Sequence, residues 1–128
     1  MIVAFIQARM SSSRLPGKVL RPITGKPMLW HLWWRLSQAE TLDEVVVATS
    51  DLPSNDPIDD FCLQNNIPCF RGSENSVLDR VYQAAVEFKA DTIVGVTGDC
   101  PLVDPQIVDR VVKEYQDYGP DLCAISPS

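Results

Sequence analysis

The sequence predicts an α/β protein in which a mostly parallel sheet is flanked by helices. Short apolar runs rich in β-branched residues alternate along the chain with longer amphipathic patterns, and no repeat or low-complexity tract interrupts them. Alternation of this kind is typical of strand–helix–strand units, which form parallel sheets. The chain has 128 residues, which is the length of one domain and is enough to bury a core.

The predicted strands are short and apolar throughout, as expected for strands that are buried on both faces of a sheet. They lie at residues 2–6, 45–48, 68–70 and 92–96, and residues 122–125 have the pattern of a further strand. In parallel sheets, ligands bind beyond the carboxyl ends of the strands. Three loops are therefore expected to carry the functional site: 7–26, 49–56 and 97–104.

Four helices are predicted between and after these strands, and most of them begin at a recognisable cap. Asp56-Pro57 and Asp104-Pro105 each pair an N-cap residue with a proline at the first helical position. Ser76, with Asp79 three positions later, approximates a capping box. The predicted helices span residues 27–38, 57–65, 77–89 and 105–117.

The net charge of −6 conceals an asymmetry along the chain. Residues 1–40 carry a charge of +5, and the remaining residues carry −11. The acidic total argues against general binding to nucleic acid, and the local excess of cations favours a small anionic ligand near the N-terminus. Since the sequence shows neither an apolar run of membrane-spanning length nor a basic leader segment, we expect a cytoplasmic protein that does not bind membranes.

The loop after the first predicted strand is unusually long and basic. It needs about 20 residues to reach its helix, whereas such loops usually need about 2–6. Arg9, Arg14 and Lys18 lie there among three serines and Gly17. Guanidinium and ammonium groups, hydroxyls and exposed N–H groups can together cradle phosphates. The loop therefore either binds a nucleoside triphosphate or is a solvated segment with surface ion pairs; it contains neither a Walker A motif nor a G-x-G-x-x-G motif.

Asp99 is the candidate metal ligand. It follows the predicted strand 92–96 and is expected at the same sheet edge as the basic loop. A cation such as Mg²⁺ takes one or two carboxylates together with phosphate oxygens. The alternative is that Asp99 only caps its own turn. A zinc site is not expected, because the chain has a single histidine and its four cysteines form no C-x-x-C pair.

Three further features stand out, and the second and third are each open to two interpretations. Arg71, after the short strand, is expected to reach a base or ribose. Asp79 and Arg80, at the start of the third helix, either face this ligand or form a surface salt bridge. A cluster of three tryptophans lies in the first helix, where one face cannot bury them all, so a homodimer or domain contact is a second hypothesis besides simple packing: Trp30, Trp33 and Trp34.

Several segments together resemble one family. Ile6-Gln7-Ala8-Arg9 through Arg14-Leu15-Pro16-Gly17-Lys18, followed by Gly25-Lys26-Pro27-Met28, resembles the start of the cytidylyltransferases that make CMP-linked sugars, especially the spore-coat polysaccharide type. Later segments match that type in order: Val47-Ala48-Thr49-Ser50, Phe70-Arg71-Gly72-Ser73-Glu74, Val77-Leu78-Asp79-Arg80 and Thr97-Gly98-Asp99-Cys100-Pro101-Leu102-Val103-Asp104-Pro105. The resemblance covers essentially the whole chain and implies a three-layer, Rossmann-like nucleotidyltransferase fold.

The resemblance also implies a role for individual residues. Arg9, Lys18 and Asp99 would be the catalytic groups, with Asp99 binding Mg²⁺. The sugar would attack the α-phosphorus of CTP and expel pyrophosphate, a reaction that depends on positioning and charge neutralisation. The full set of expected nucleotide-binding residues is Ala8, Arg9, Ser13, Arg14, Lys18, Arg71, Ser76, Thr97 and Asp99.

Domains of the family are normally much longer, and their second half supplies a second metal-binding aspartate and most contacts to the acceptor sugar. We therefore expect residues 1–128 to be the nucleotide-binding part of a truncated domain, without the C-terminal half. Two alternatives remain. The chain could hold a nucleotide without turnover, or it could be a nucleotide-sugar glycosyltransferase, although Asp99-Cys100-Pro101 lacks the second acid of an Asp-x-Asp motif.

Overall fold

A computed structural model describes residues 1–11, 17–98, 104–118 and 122–125. Its strands are β1 (Ile2–Gln7), β2 (Pro22–Ile23), β3 (Lys26–Pro27), β4 (Glu44–Ser50), β5 (Cys69–Gly72), β6 (Thr92–Thr97) and β7 (Leu122–Ile125). Five of them form one sheet in the order β5-β4-β1-β6-β7, and every neighbouring pair is parallel. The predicted parallel sheet is confirmed, and β1 lies at its centre.

Helices cover both faces of this sheet. They are α1 (Met28–Ser37), α2 (Asp56–Gln64), α3 (Val77–Glu87) and α4 (Pro105–Tyr118). Side chains of α1, α2 and α4 pack with Ala4 and Ile6 of β1, whereas α3 packs with Val3 and Phe5 from the opposite face of the same strand. Because successive residues of a strand point to opposite faces, the apolar run of β1 is buried on both sides. The described elements therefore form three layers.

Two of the predicted helix caps are confirmed. The Ser76 hydroxyl accepts a hydrogen bond from the Asp79 N–H at 3.1 Å, and the Asp104 carboxylate accepts one from the Gln106 N–H at 2.8 Å. The prediction for Asp56 is wrong, because α2 already begins there and follows an Asn55 cap position that makes no side-chain cap bond. The Asp56 carboxylate instead accepts a charged hydrogen bond from Arg71 at 2.8 Å.

The segment 7–26 is not the unbroken loop that the sequence predicts. Lys18–Leu20 forms a short 3₁₀ turn, and β2 and β3 pair as a small antiparallel hairpin. Thr24 and Gly25 connect the two strands with positive φ angles of 49° and 88°. This backbone is the one that two-residue hairpins favour. Prolines in both strands concealed the hairpin, because proline is a poor signal for strand pairing.

None of the four helices, taken over the residues that the structure describes, combines the length and the hydropathy needed to cross a membrane.

Asp109 of α4 ties this helix to the turn between α1 and β4. Its carboxylate accepts hydrogen bonds from the N–H groups of Glu40 at 3.0 Å and Thr41 at 2.8 Å, and from the Thr41 hydroxyl at 2.5 Å. We expect Asp109→Ala to lower the free energy of unfolding by about 1–3 kcal/mol, because donors of the turn lose their acceptor. Denaturant unfolding measures this change. The control Glu114→Ala, an exposed acid of the same helix, should change it by less than about 0.5 kcal/mol.

The same contact gives the stability a pH dependence. Burial alone raises the pKa of the Asp109 carboxyl, but the hydrogen bonds from Thr41 and Glu40 outweigh burial and hold the pKa below its usual value. Asp109 therefore stabilises the fold above about pH 4 and loses this contribution as the pH falls through the folded-state pKa. The stability difference between the unmodified chain and Asp109→Ala should shrink over that acidic range. A difference that stays constant or grows would contradict the assignment.

Candidate functional site

The carboxyl ends of β1 and β6 meet at one point on the sheet edge. Gln7 pairs in register with Thr97, and the Gly98 N–H donates to the Gln7 carbonyl at 2.7 Å. The Ala8 N–H donates to the Ala48 carbonyl at 3.1 Å, which holds the start of the first loop against β4. Ala8 is buried and Thr97 is exposed. The structure thus brings these two predicted nucleotide-binding residues to the same edge.

Gly98 allows the two strand ends to approach this closely. A Cβ atom added at Gly98 would lie 2.7 Å from the Gln7 carbonyl oxygen and 3.3 Å from both Cα and Cβ of Ala8. The first contact is with backbone, which cannot rotate away as a flexible side chain would. Glycine at position 98 is therefore a requirement of the packing between β1 and β6.

A backbone hydrogen bond closes the base of the first loop. The Gly17 N–H donates to the Met10 carbonyl at 2.7 Å, and Gly17 has a φ of 75°, a conformation that favours glycine. Arg9 and Lys18 flank this bond, so the two predicted cations lie at the same closed base of the loop. We call this base, formed by Arg9, Met10, Gly17 and Lys18, the neck. Arg9 is exposed and Lys18 is half-buried. Ser13 and Arg14, the other predicted phosphate ligands of this loop, lie outside the described residues.

Asn55 anchors this neck to the loop after β4. Its side chain is buried, its Oδ1 accepts from the Met10 N–H at 2.8 Å, and its Nδ2 donates to the Ser50 hydroxyl at 2.5 Å. The position of the basic loop therefore depends on β4 as well as on β1. The role of Asn55 was not predicted from the sequence, because nothing nearby distinguishes it from an ordinary asparagine that precedes a helix.

The guanidinium of Arg71 is engaged by the protein. It donates to Asp56 at 2.8 Å, to the Ser50 carbonyl at 3.1 Å and to the Leu52 carbonyl at 2.7 Å. The hydrogen bond to Asp56 is the main reason that the pKa of Arg71 lies above its usual value. Arg71 thus stabilises the loop after β4, and its predicted contact with a base or ribose stays a prediction.

Arg80 of α3 lies beside the same carboxyl edge of the sheet, on the face that α3 covers. It is 4% exposed, its Nε and Nη2 donate to the Gln7 Oε1 at 3.2 and 3.0 Å, and its Nη1 donates to the Ser73 carbonyl at 3.0 Å. Burial lowers the pKa of Arg80, Glu74 opposes this, and the charge of Arg9 lowers it further. The guanidinium nevertheless stays charged. The surface salt bridge with Asp79 that the sequence suggested does not occur among the described contacts.

The sequence carries a local signal for the burial of Arg80. Arg80 lies four residues before the buried Ala84, and therefore on the face of α3 that packs against the sheet. A cation on the apolar face of an amphipathic helix indicates a buried partner. Gln7 carried a similar signal, as a polar residue at the end of an otherwise apolar strand.

Ser76 begins α3 beside this cluster. Its hydroxyl caps the helix, and its N–H donates to the Ser73 hydroxyl at 3.3 Å. The carbonyl oxygen of Ser73 also accepts the hydrogen bond from Arg80 Nη1. The predicted nucleotide-binding residues Ser76 and Thr97 therefore belong to the α3 side of the sheet, where Gln7 and Arg80 lie between them.

Asp99, the predicted magnesium ligand, lies outside the described residues. Within the described ranges, no three His, Cys, Asp or Glu side chains come together in a way that could hold a metal ion. The chain immediately before Asp99 is described, and Gly98 attaches it to the end of β1. The magnesium assignment thus stays a prediction.

The architecture places the chain in the class of Rossmann-like α/β proteins, with a parallel sheet, helices on both faces and a polar carboxyl edge. Within this class, the model of the cytidylyltransferase family matches residues 3–126. Because this match covers nearly the whole chain, the protein belongs to the cytidylyltransferase family.

Individual relatives agree with this placement. The spore coat polysaccharide biosynthesis protein SpsF of Bacillus subtilis (strain 168) is 40% identical over 124 residues, which cover 94% of this chain and 52% of SpsF. The mitochondrial 3-deoxy-manno-octulosonate cytidylyltransferase of Arabidopsis thaliana is 39% identical and is covered to 40%. The chain therefore spans about half the length of the curated relatives it matches.

Solved structures show the same fold. A cytidylyltransferase from Leptospira borgpetersenii matches with a TM-score of 0.86 and 36% identity over 92% of this chain and 50% of that chain. A CMP:2-keto-3-deoxy-manno-octonic acid synthetase complexed with CTP matches with a TM-score of 0.75 and 33% identity, over 91% of this chain and 47% of that chain. The predicted Rossmann-like nucleotidyltransferase fold is confirmed.

Proposed function

We propose that the chain is the CTP-binding part of an enzyme that transfers CMP to a sugar or sugar acid and releases pyrophosphate, for surface polysaccharide or glycan biosynthesis. The observation that carries the proposal is the neck of the first loop, where Arg9 and Lys18 emerge together at the end of the central strand. A triphosphate bears several negative charges and needs several cations to hold it. Membership of the cytidylyltransferase family supports the choice of CTP.

The residues of the edge divide into two groups in this proposal. Arg9, Arg14 and Lys18 bind the phosphate oxygens, and the hydroxyl of Ser13 adds a donor. Ala8, Ser76 and Thr97 lie beside the base and ribose. Arg71 is also assigned to the base and ribose, and its hydrogen bonds to the Ser50 and Leu52 carbonyls hold the loop after β4.

The chemistry follows from charge. When the acceptor hydroxyl attacks the α-phosphorus, negative charge grows on the phosphoryl oxygens and on the departing pyrophosphate. Arg9 and Lys18 stabilise that charge because their positions are fixed before the reaction. Asp99 would hold Mg²⁺, since one carboxylate combined with phosphate oxygens is a donor set that suits this ion. When bound, the ion would neutralise part of the charge on the same oxygens.

Transfer of CMP requires an acceptor site as well as the nucleotide site at this edge of the sheet. The curated relatives are about twice as long as this chain, so a module that binds the nucleotide without transferring it is the second candidate function. Binding of the acceptor sugar, formation of a homodimer and a cytoplasmic location stay predictions. Trp34 is 46% exposed beside a stacked Trp30, which supports the dimer hypothesis without identifying the partner surface.

The proposal is tested by measuring nucleotide binding and turnover separately. We expect CTP with Mg²⁺ to raise the melting temperature more than UTP, ATP or GTP at the same concentration. Calorimetry without detectable CTP binding at low salt would remove the proposal. Pyrophosphate release with CTP and a sugar acid would favour the enzyme over the binding module. Hydrolysis of a UDP-sugar would instead support the glycosyltransferase alternative.

A further inference from the structure

Arg80 is a buried charge with an unusual set of partners. Its three described hydrogen bonds end on two neutral acceptors, the carboxamide oxygen of Gln7 and the carbonyl oxygen of Ser73. The ion pairs found in the described part of the chain do not include it. Burying a charge without a hydrogen-bonded counter-ion is costly, and apolar residues of similar volume are often at least as stable in such positions. The charge of Glu74 offsets part of this cost, although Glu74 makes none of the described hydrogen bonds to Arg80. Stability alone is therefore a weak reason for an arginine at position 80.

Arg80 joins two segments of the proposed nucleotide site. Gln7 ends β1 immediately before Ala8 and Arg9, and Ser73 follows β5 on the way to Ser76. Since a forked guanidinium can reach both acceptors at once, it fixes the distance between them. The like charge of Arg9 lowers the pKa of Arg80, so the two cations repel each other.

The same contact fixes the orientation of the Gln7 side chain. Two N–H groups of Arg80 point to one atom of the carboxamide, and a guanidinium has no acceptor, so that atom must be Oε1. Nε2 then points away from Arg80. It is buried and has no acceptor among the described residues. Gln7 and Thr97 are neighbours in register, so this donor belongs to the same face as the exposed threonine.

We propose that Arg80 is a positioning residue of the nucleotide site, which holds Gln7 and the Ser73 loop in the conformation that accepts the nucleotide. The free N–H of Gln7 is then a donor for an acceptor atom of the bound nucleotide. The proposal rests on the proposed function, and it assigns to this arginine a gain in binding at the expense of stability, a trade-off that functional sites often show.

The test separates stability from binding in the full 128-residue chain. The double variant Gln7→Leu with Arg80→Met removes the buried charge together with the carboxamide that it holds. We expect its melting temperature to match or exceed that of the unmodified chain, whereas its dissociation constant for CTP rises at least about tenfold. Arg110→Met removes the same charge from an exposed position on α4 and should leave CTP binding unchanged.

Arg80→Lys and Gln7→Glu complete the set. Lysine keeps the charge but cannot hold Gln7 and Ser73 with a fork, so CTP binding should weaken about five- to tenfold in a folded protein. Glutamate is isosteric and pairs with Arg80, which should raise the melting temperature. It replaces the Nε2 donor by an acceptor, so CTP binding should again fall about tenfold.

The outcomes distinguish this proposal from the proposed function. If the unmodified chain does not bind CTP, the proposed function fails. If it binds CTP and Arg80→Lys or the double variant binds equally well, only the role of Arg80 is overturned. Failure of both of these variants to fold would also overturn it, because Arg80 would then be required for the fold itself. Loss of CTP binding at an unchanged melting temperature supports it.

Discussion

Gly98→Ala is expected to lower the free energy of unfolding by about 1–3 kcal/mol, although it adds a single methyl group. The new Cβ would lie 2.7 Å from the carbonyl oxygen of Gln7, which is the atom that accepts the hydrogen bond from the Gly98 N–H. The Gln7 carbonyl cannot move aside on its own, because β1 is the central strand of the sheet and pairs with β4 on its other side. The strand ends must therefore separate, and this hydrogen bond must lengthen.

The same substitution should weaken CTP binding at least about tenfold beyond its effect on the folded fraction, since small displacements at a site reduce binding strongly. Gln7 leads directly into Ala8 and Arg9, and Gly98 leads directly into Asp99. A shift at their contact changes the distance between the proposed phosphate-binding and magnesium-binding segments. Binding is measured by calorimetry well below the melting temperature, so that both proteins are fully folded.

Gly95→Ala is the matched control for this prediction. Gly95 lies in β6 three residues earlier, and a Cβ added there meets no atom within 4 Å. The control should therefore keep its CTP affinity and change the free energy of unfolding by less than about 1 kcal/mol, the range of strand propensities. Equal effects of the two substitutions would show that the close approach at Gly98 is unimportant.

The sequence predicted the central strands and the helices well because their signals are local. The apolar run of β1 and the caps at Ser76 and Asp104 report on a residue and its near neighbours, and the structure confirms them. The β2–β3 hairpin was missed because its prolines are usually found outside strands. Its turn at Thr24 and Gly25 depends on backbone angles that a threonine rarely signals.

The candidate site was predicted less completely because its supporting contacts are distant in sequence. Arg80 reaches Gln7 across 73 positions, and Asn55 reaches Met10 across 45. A local pattern assigns Arg80 to a surface pair with Asp79, whereas the fold turns it inward toward the end of β1. Arg71 is a further example, since its hydrogen bonds to the loop after β4 have no local signal, whereas its expected contact with a base or ribose stays a prediction. Composition indicates the chemistry available to an edge, and the topology decides which side chains reach it.

Arg9→Ala and Lys18→Ala are each expected to raise the dissociation constant for CTP roughly 10- to 150-fold, which corresponds to about 1.5–3 kcal/mol for a charged hydrogen bond. Both residues leave the backbone at the neck closed by Met10 and Gly17. Neither side chain is part of the buried core, since Arg9 is exposed and Lys18 is half-buried. The melting temperature without nucleotide should therefore change little, and calorimetry then reports binding alone.

Arg21→Ala tests whether this effect comes from contact or only from charge. Arg21 is exposed in the same segment and is not one of the proposed phosphate-binding residues. Its replacement by alanine changes the net charge by the same amount as Arg9→Ala or Lys18→Ala. A general electrostatic field would weaken binding similarly in all three variants, and the loss would disappear at high salt. Direct contact predicts a large loss for Arg9→Ala and Lys18→Ala that persists at high salt, and a small one for Arg21→Ala. If Arg9→Ala binds CTP normally, the neck does not hold the triphosphate.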